Sequence, residues 1–197
     1  MSVIILLLAL GLWGIVHSLL ASHFAKDMAR GTLGAGFMRF YRLAYNIFSV
    51  VSLAPILFLM DSLPDQLIYE VTAPWNVLMF GGKLLAVLFL LIAVLQTDTF
   101  SFVGLRQLVQ EEAPGRLVTS GMYRLVRHPL YTFSLLFIWL APTMTQNTLT
   151  VYVGATIYVL VGAYFEERKL LRDFGEAYAE YKRKTPMLVP GLAFGRK

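Results

Sequence analysis

Arg127-His128 and Glu166-Glu167 are the residues of this chain best equipped for chemistry, and each pair stands directly against an apolar run. Leu130 to Met144 follows the first pair and Leu149 to Phe165 precedes the second, with only Thr145-Gln146-Asn147-Thr148 between the runs. So short a connection forces two helices antiparallel, and the outer ends of such a hairpin meet. The four ionisable groups are therefore expected to converge, with Tyr123, Tyr131, Tyr178 and Tyr181 around them. Carboxylates hold an ammonium group, Arg or His takes a carboxylate, and aromatic faces accept a flat base or an onium cation. A zwitterionic, partly aromatic ligand suits that set.

The elements that must position these residues follow from composition. The chain has 197 residues, 57% of them hydrophobic and 15% charged, with a mean hydropathy of +0.65. That is too apolar and too sparsely charged for an ordinary soluble domain. With no cysteine, disulfides, thiolate metal sites and a sulfur nucleophile are excluded. The net charge of +5 is no sign of a nucleic-acid partner, because nearly all the basic residues lie beside apolar runs, where topology and anionic headgroups account for them. Membrane lipid is the expected surrounding.

Five transmembrane helices are expected in a single membrane domain over 1–197, all-α and polytopic. Residues 1–96 hold three spans: Val3 to Leu20, Leu43 to Met60 with Pro55 inside it, and Trp75 to Gln96 with Lys83 snorkelling from its outer part. No Lys or Arg precedes the first run, so it is read as a retained span rather than a cleaved leader. Between the first two, Gly31, Gly34 and Gly36 are expected to break any long helix and leave a basic loop. Residues 97–197 form the second part, with Ser120-Gly121 as a turn, Pro129 in the first turn of its helix, and a helical hairpin over 130–165. From Glu166 onward, Leu170, Leu171, Phe174, Tyr178 and Tyr181 recur at helical spacing, which predicts a C-terminal amphipathic surface helix.

Lys and Arg accumulate in cytoplasmic segments. Segment 21–42 holds four, 97–129 holds four and the tail from 166 holds eight, which is 16 of the 17 and leaves only Lys83. Five crossings put all three basic segments on one side. The N-terminus is then outside, with the C-terminus and both charged pairs cytoplasmic.

The order Gly115-Arg-Leu-Val-Thr-Ser-Gly-Met-Tyr-Arg-Leu-Val-Arg-His-Pro-Leu-Tyr131, followed by Glu166-Glu167-Arg168, Phe174-Gly175, Tyr178, Tyr181 and Pro186, resembles the core of the isoprenylcysteine carboxyl methyltransferase family of membrane methyltransferases. The resemblance covers roughly the C-terminal two fifths of the chain. His17 to Ser22, Tyr41 to Asn46, Phe102 to Gln107 and Ala141 to Thr145 resemble a bacterial branch holding methanethiol S-methyltransferases and proteins of nitric-oxide-reduction operons. The resemblance implies S-adenosylmethionine as cofactor, bound on the cytoplasmic side of a bacterial inner membrane. Cofactor contacts are implied for Gly115, Arg116, Leu117, Val118, Tyr123, His128, Pro129, Leu130 and Tyr131, with Glu166 and Glu167 at the reaction end, and Arg127 and His128 join them as candidate catalytic residues. Two departures stand out. Thr132-Phe133 follows the Tyr where the family usually has a small residue, and Gly162 to Phe165 lack the arginine that prenylcysteine enzymes carry before their Glu pair. A carboxylate-bearing acceptor loses its partner, which favours a small thiol or another lipophilic substrate.

The implied reaction is in-line methyl transfer with no covalent enzyme intermediate, driven by positioning and desolvation. Arg127 or His128 would stabilise a thiolate, and Glu166 or Glu167 would hold the sulfonium or accept a proton. Blander roles compete: Arg124 as a headgroup anchor, and Tyr178 and Tyr181 as packing. His17 and His23, six residues apart, do not share a helical face, so no metal site is expected. Two other functions fit such a chain: a non-catalytic assembly factor for a respiratory or nitric-oxide enzyme, and a membrane NADPH-dependent reductase, although no Gly-rich dinucleotide fingerprint is present.

Overall fold

A computed structural model describes residues 1–109 and 116–191. The chain is mostly helical: α1 Ser2–Ala21, α2 His23–Val51, α3 Ala54–Ser62, α4 Trp75–Leu95, α5 Thr99–Val103, α6 Met122–Leu125, α7 Pro129–Trp139, α8 Gln146–Phe174 and α9 Glu176–Lys184. Two short strands, β1 Leu67–Glu70 and β2 Thr143–Thr145, pair with each other.

Among the described residues, four stretches are long and apolar enough to cross a membrane: Ser2–Ala21, Gly36–Ser62, Trp75–Leu95 and Gln146–Phe174. A helix of 20 residues is about 30 Å long, the thickness of the hydrocarbon layer. Their side chains face outward in the manner of lipid-solvated helices, with Leu8, Leu12, Ile15, Leu84, Leu88 and Leu95 all at least half exposed. The second stretch is interrupted by a turn at Ser52-Leu53, and Pro55 sits in the first turn of α3, where its missing N–H leaves no bond broken.

By its contacts the chain falls into two units. The first comprises residues 1–67, 98–114 and 145–154. Its core is Leu6, Ile56 and Val151, packed about by Leu10, Trp13 and Leu53. The start of α8 is fastened here by polar contacts. Asn147 is fully buried, and its Nδ2 donates to the carbonyls of Met60 and Leu63, each at 3.2 Å, and to that of Pro64 at 3.4 Å. Asp65 Oδ1 accepts the Asn147 N–H at 2.9 Å. The last carbonyls of α3 have no intrahelical partner, and Asn147 supplies one. Asn147→Ala leaves them unpaired, and a loss of about 1–3 kcal/mol is expected, read as a lower unfolding midpoint in detergent.

The second unit comprises residues 68–97, 115–144 and 155–197. Here α4 packs along α7, with Ala86 and Ala93 fully buried, small residues that let the helix backbones approach. The rings of Phe89 and Phe133 meet at 5.2 Å, and the Lys83 amine lies 4.8 Å from the centre of the Phe137 ring. Trp139 Nε1 donates to Thr156 Oγ1 at 3.0 Å, tying α7 to α8.

Three expectations are altered by the fold. The predicted fourth span, Leu130 to Met144, is helical only over Pro129–Trp139. Pro142 cannot continue a helix, and the chain turns extended to pair with β1, where Val71 N–H donates to the Pro142 carbonyl at 2.8 Å. The glycine-rich basic loop is helical from His23, and only Gly34 departs from helical geometry. The final span does not end at Phe165. The helix continues through Glu166 and Glu167 to Phe174, because no breaker intervenes before Gly175, which has φ +54°.

Candidate functional site

Four pieces of the second unit converge on the end of α7: the turn through α6, the last third of α8, α9, and the segment Thr185 to Leu188. The segment is laced along the start of α7 by its backbone. Arg127 N–H donates to the Pro186 carbonyl at 2.8 Å and His128 N–H to that of Met187 at 3.1 Å. Thr132 Oγ1 donates to the Leu188 carbonyl at 2.7 Å. Pro129, the first residue of α7, lies directly after His128 and is itself buried.

Inside this frame the two glutamates separate. Glu167 is 5% exposed, and four side chains surround its carboxylate. Oε1 accepts Arg127 Nε at 2.5 Å, Tyr178 Oη at 3.2 Å and His128 Nε2 at 3.3 Å, while Lys182 Nζ lies 2.8 Å from Oε2. The same guanidinium donates through one terminal nitrogen to the carbonyls of Thr185 and of Lys182. A buried carboxylate needs such partners, since an isolated charge out of water is costly.

Glu166, the next residue on α8, points elsewhere and keeps 43% of its side chain exposed. Its Oε2 accepts Tyr131 Oη at 2.9 Å and lies 3.7 Å from His128 Nδ1. The His128 and Tyr131 rings stack with centroids 5.4 Å apart. His128 thus stands between a buried carboxylate and an open one. A carboxylate held by Arg and Lys only accepts, so Nε2 carries the proton facing Glu167. In the neutral imidazole Nδ1 is then the free acceptor, directed to the side where Glu166 lies.

The tyrosines form the wall behind. Tyr178 and Tyr181 are buried and meet edge to face at 5.9 Å. Burial, reinforced for Tyr178 by the Glu167 charge, raises both phenols above their ordinary value. Tyr181 Oη donates to the Tyr123 carbonyl. Burial and then the Glu166 charge push the Tyr123 phenol up to about 12, so it stays a neutral hydroxyl over the physiological range. The turn before Tyr123 needs Gly121: its φ is +61°, and a Cβ there would lie 2.4 Å from Gln96 Oε1, the atom that accepts the Met122 N–H at 2.7 Å.

The structure therefore brings Arg127, His128, Tyr131, Glu166 and Glu167 together: Arg127 and His128 bond to Glu167, Tyr131 bonds to Glu166, and the two sets meet where His128 stacks on Tyr131 and lies 3.7 Å from Glu166, with Tyr123, Pro129 and Leu130 on the adjoining backbone. Arg116, Leu117 and Val118 lead as irregular chain toward Gly121, and Arg116 is exposed. Gly115 falls outside the described residues. Sequence reasoning missed Lys182, Thr185 and Gln96. For Lys182 a signal existed, since it lies one helical turn from Tyr178 and shares its face.

Apolar helices of membrane-spanning length, with a buried ionisable cluster at the end of one of them, define an integral membrane protein with a polar site beside an apolar span. The model of the phospholipid methyltransferase family matches residues 76–177, which takes in the whole of this cluster apart from Tyr178, Tyr181, Lys182 and the segment beyond. The chain belongs to that family and is a methyltransferase. It is 31% identical over 206 residues to methanethiol S-methyltransferase 2 of Bradyrhizobium diazoefficiens, a match covering all of this chain and 76% of that protein. Identity to the methanethiol S-methyltransferase of Pseudomonas sp. strain GM41(2012) is 31% over 195 residues, 89% of this chain and 73% of that one. The protein-S-isoprenylcysteine O-methyltransferase of Schizosaccharomyces pombe is 37% identical over 81 residues, 38% of this chain and 33% of its own. No solved structure is a significant match.

Proposed function

We propose that this chain transfers the methyl group of S-adenosylmethionine to a small thiol of the methanethiol type, at the cytoplasmic boundary of a bacterial inner membrane. The observation that carries the reading is the inequality of the two glutamates, one sealed by four partners and one open beside an imidazole and two tyrosines. The acceptor class follows from the names of the relatives that match along most of the chain, and from Gly162 to Phe165, which place no cation beside the glutamates for an acidic acceptor.

The residues present fit the donor. Glu166 would offer an open anion to its cationic centre, Tyr123, Tyr131 and His128 would offer aromatic groups, and the chain at 116–118 with Pro129 and Leu130 would supply the rest of its contacts. When bound, the donor supplies a sulfonium methyl group open to in-line attack. His128 Nδ1 takes the thiol proton, so that sulfur attacks as thiolate, and Glu166 stabilises the imidazolium so formed at 3.7 Å. Glu167 holds the ring in the tautomer this requires, the part the buried carboxylate plays in other acid–base triads. Arg127 is occupied by Glu167 and two carbonyls, so its part is positioning, and the anion-stabilising duty falls to His128.

Five crossings complete the reading. The helix of α7 is about 16 Å long, half the hydrocarbon thickness, and the strand Thr143–Thr145 adds about 10 Å. Their strand is paired with β1, which satisfies backbone that a membrane boundary would otherwise strand. The basic segments then all lie in the cytoplasm and the N-terminus outside.

Purified protein given methanethiol and S-adenosylmethionine with a deuterated methyl group is expected to form deuterium-labelled dimethyl sulfide and S-adenosylhomocysteine in equal amounts. Methylation of phospholipid headgroups with none of the thiol would overturn the acceptor assignment.

A further inference from the structure

The link between the first two spans, residues 23–33, is a helix in its own right. Ser22 caps it, the side chain accepting the Ala25 N–H at 3.2 Å, and Gly34 ends it with φ +81° and ψ 168° before the next span begins at Gly36. Nothing lies within 4 Å of where a Cβ on Gly34 would be, so the glycine is there for its backbone conformation and not for space. A left-handed break between a short helix and a membrane span lets the two point in different directions.

The short helix is two-sided. Ala25 is buried against the first unit. Phe24 and Met28, one turn apart, form an exposed apolar edge, 73% and 57% exposed. His23, Lys26 and Arg30 lie about 100–160° around the helix from Phe24 at 3.6 residues per turn. Asp27 is its single acid. Beyond the break, Arg39 adds a further cation before the apolar part of the span. Because the segment joins two helices that cross the bilayer, it lies at a membrane surface, where an apolar edge and a basic flank have complementary neighbours in acyl chains and anionic headgroups.

We propose that residues 23–33 form an in-plane helix that seats on anionic phospholipid, with Phe24 and Met28 entering the acyl layer and Arg30 holding headgroup phosphate. The site shares no residue with the methyl-transfer cluster and needs no methyl donor. It gives the enzyme a preference for lipid of a stated charge in the layer around its first two spans.

The absence of cysteine from the chain makes the test clean. Full-length Phe24→Cys and His23→Cys proteins are each spin-labelled and placed in nanodiscs of phosphatidylcholine with phosphatidylglycerol. The label at 24 should collide with oxygen and be shielded from a water-soluble nickel chelate, and the label at 23, on the exposed basic flank, should show the reverse. Chelate access at both positions, or shielding from both reagents at both, overturns the in-plane seat. For the charge preference, association of spin-labelled phosphatidylglycerol relative to phosphatidylcholine is compared between wild type and Arg30→Gln, each confirmed monodisperse. A fall of about fivefold per charge removed is expected. An unchanged ratio overturns the lipid assignment, and unchanged methyl transfer in the same preparations is the expected control.

Discussion

Arg127→Met is expected to cost about 3–5 kcal/mol of stability, the largest loss of any single substitution in the site, because it strips the buried Glu167 carboxylate of its shortest contact. The same change leaves the buried Thr185 without the guanidinium that its carbonyl accepts. Thermal unfolding in detergent measures the global effect. Limited trypsin digestion reports the local one, since the exposed basic run Lys182-Arg183-Lys184 is held in helical form and becomes cleavable once α9 and the Thr185 to Leu188 segment loosen. Lys182→Met provides the scale. Its ion pair is 2.8 Å long, but its side chain is 42% exposed, so solvent screens it and a loss of no more than about 1 kcal/mol is expected. If Arg127→Met unfolds within ~0.5 kcal/mol of wild type, the Arg127–Glu167 pair does not hold this end of the molecule together.

Glu166→Gln should show the opposite profile. The side chain is partly open, and Gln keeps its shape and can still accept from Tyr131, so the unfolding midpoint should stay close to wild type. What disappears is the negative charge beside the imidazole and toward the proposed donor site. A hydrogen bond to a charged partner is worth about 1.5–3 kcal/mol, so kcat/KM for the donor should fall roughly ten- to a hundredfold. Glu167→Gln, by contrast, should lower stability and activity together, because it leaves Arg127 and Lys182 facing a neutral amide. A pair of adjacent glutamates in which one variant fails by unfolding and the other by binding is the signature of the division proposed. Equal loss of stability in both would contradict it.

The long apolar helices were readable because burial in lipid imposes a simple rule on composition. Ser2–Ala21 and Trp75–Leu95 lie within a residue of the expected spans. The fourth run was not readable in the same way. Its composition suits a helix to Met144, but the partner of its last residues is β1, more than 70 positions earlier, and strand pairing at that separation leaves no local mark. Gly31 and Gly36 stayed helical because glycine permits an irregular backbone without demanding one, and only at Gly34 is the freedom used.

The site was legible in its membership more than in its duties. The Arg-His pair and the Glu pair do meet, as the short connection implied. Which glutamate is sealed depends on α9 folding back, and that placement rests on Gly175 and on contacts of Tyr178 and Lys182 that no local pattern specifies. Lys182 was hidden in plain view, within a basic run that reads as ordinary cytoplasmic charge.

The central claim is that the methyl donor binds at the mouth of α7 and α8 and is held there by Glu166. Calorimetric titration of S-adenosylhomocysteine into the wild-type protein and into Glu166→Gln, both matched in thermal midpoint, tests it most directly. The expected result is one site per chain in the wild type and a dissociation constant raised about ten- to a hundredfold in the variant. Equal affinity in the two proteins, or no binding to folded wild type, would contradict it.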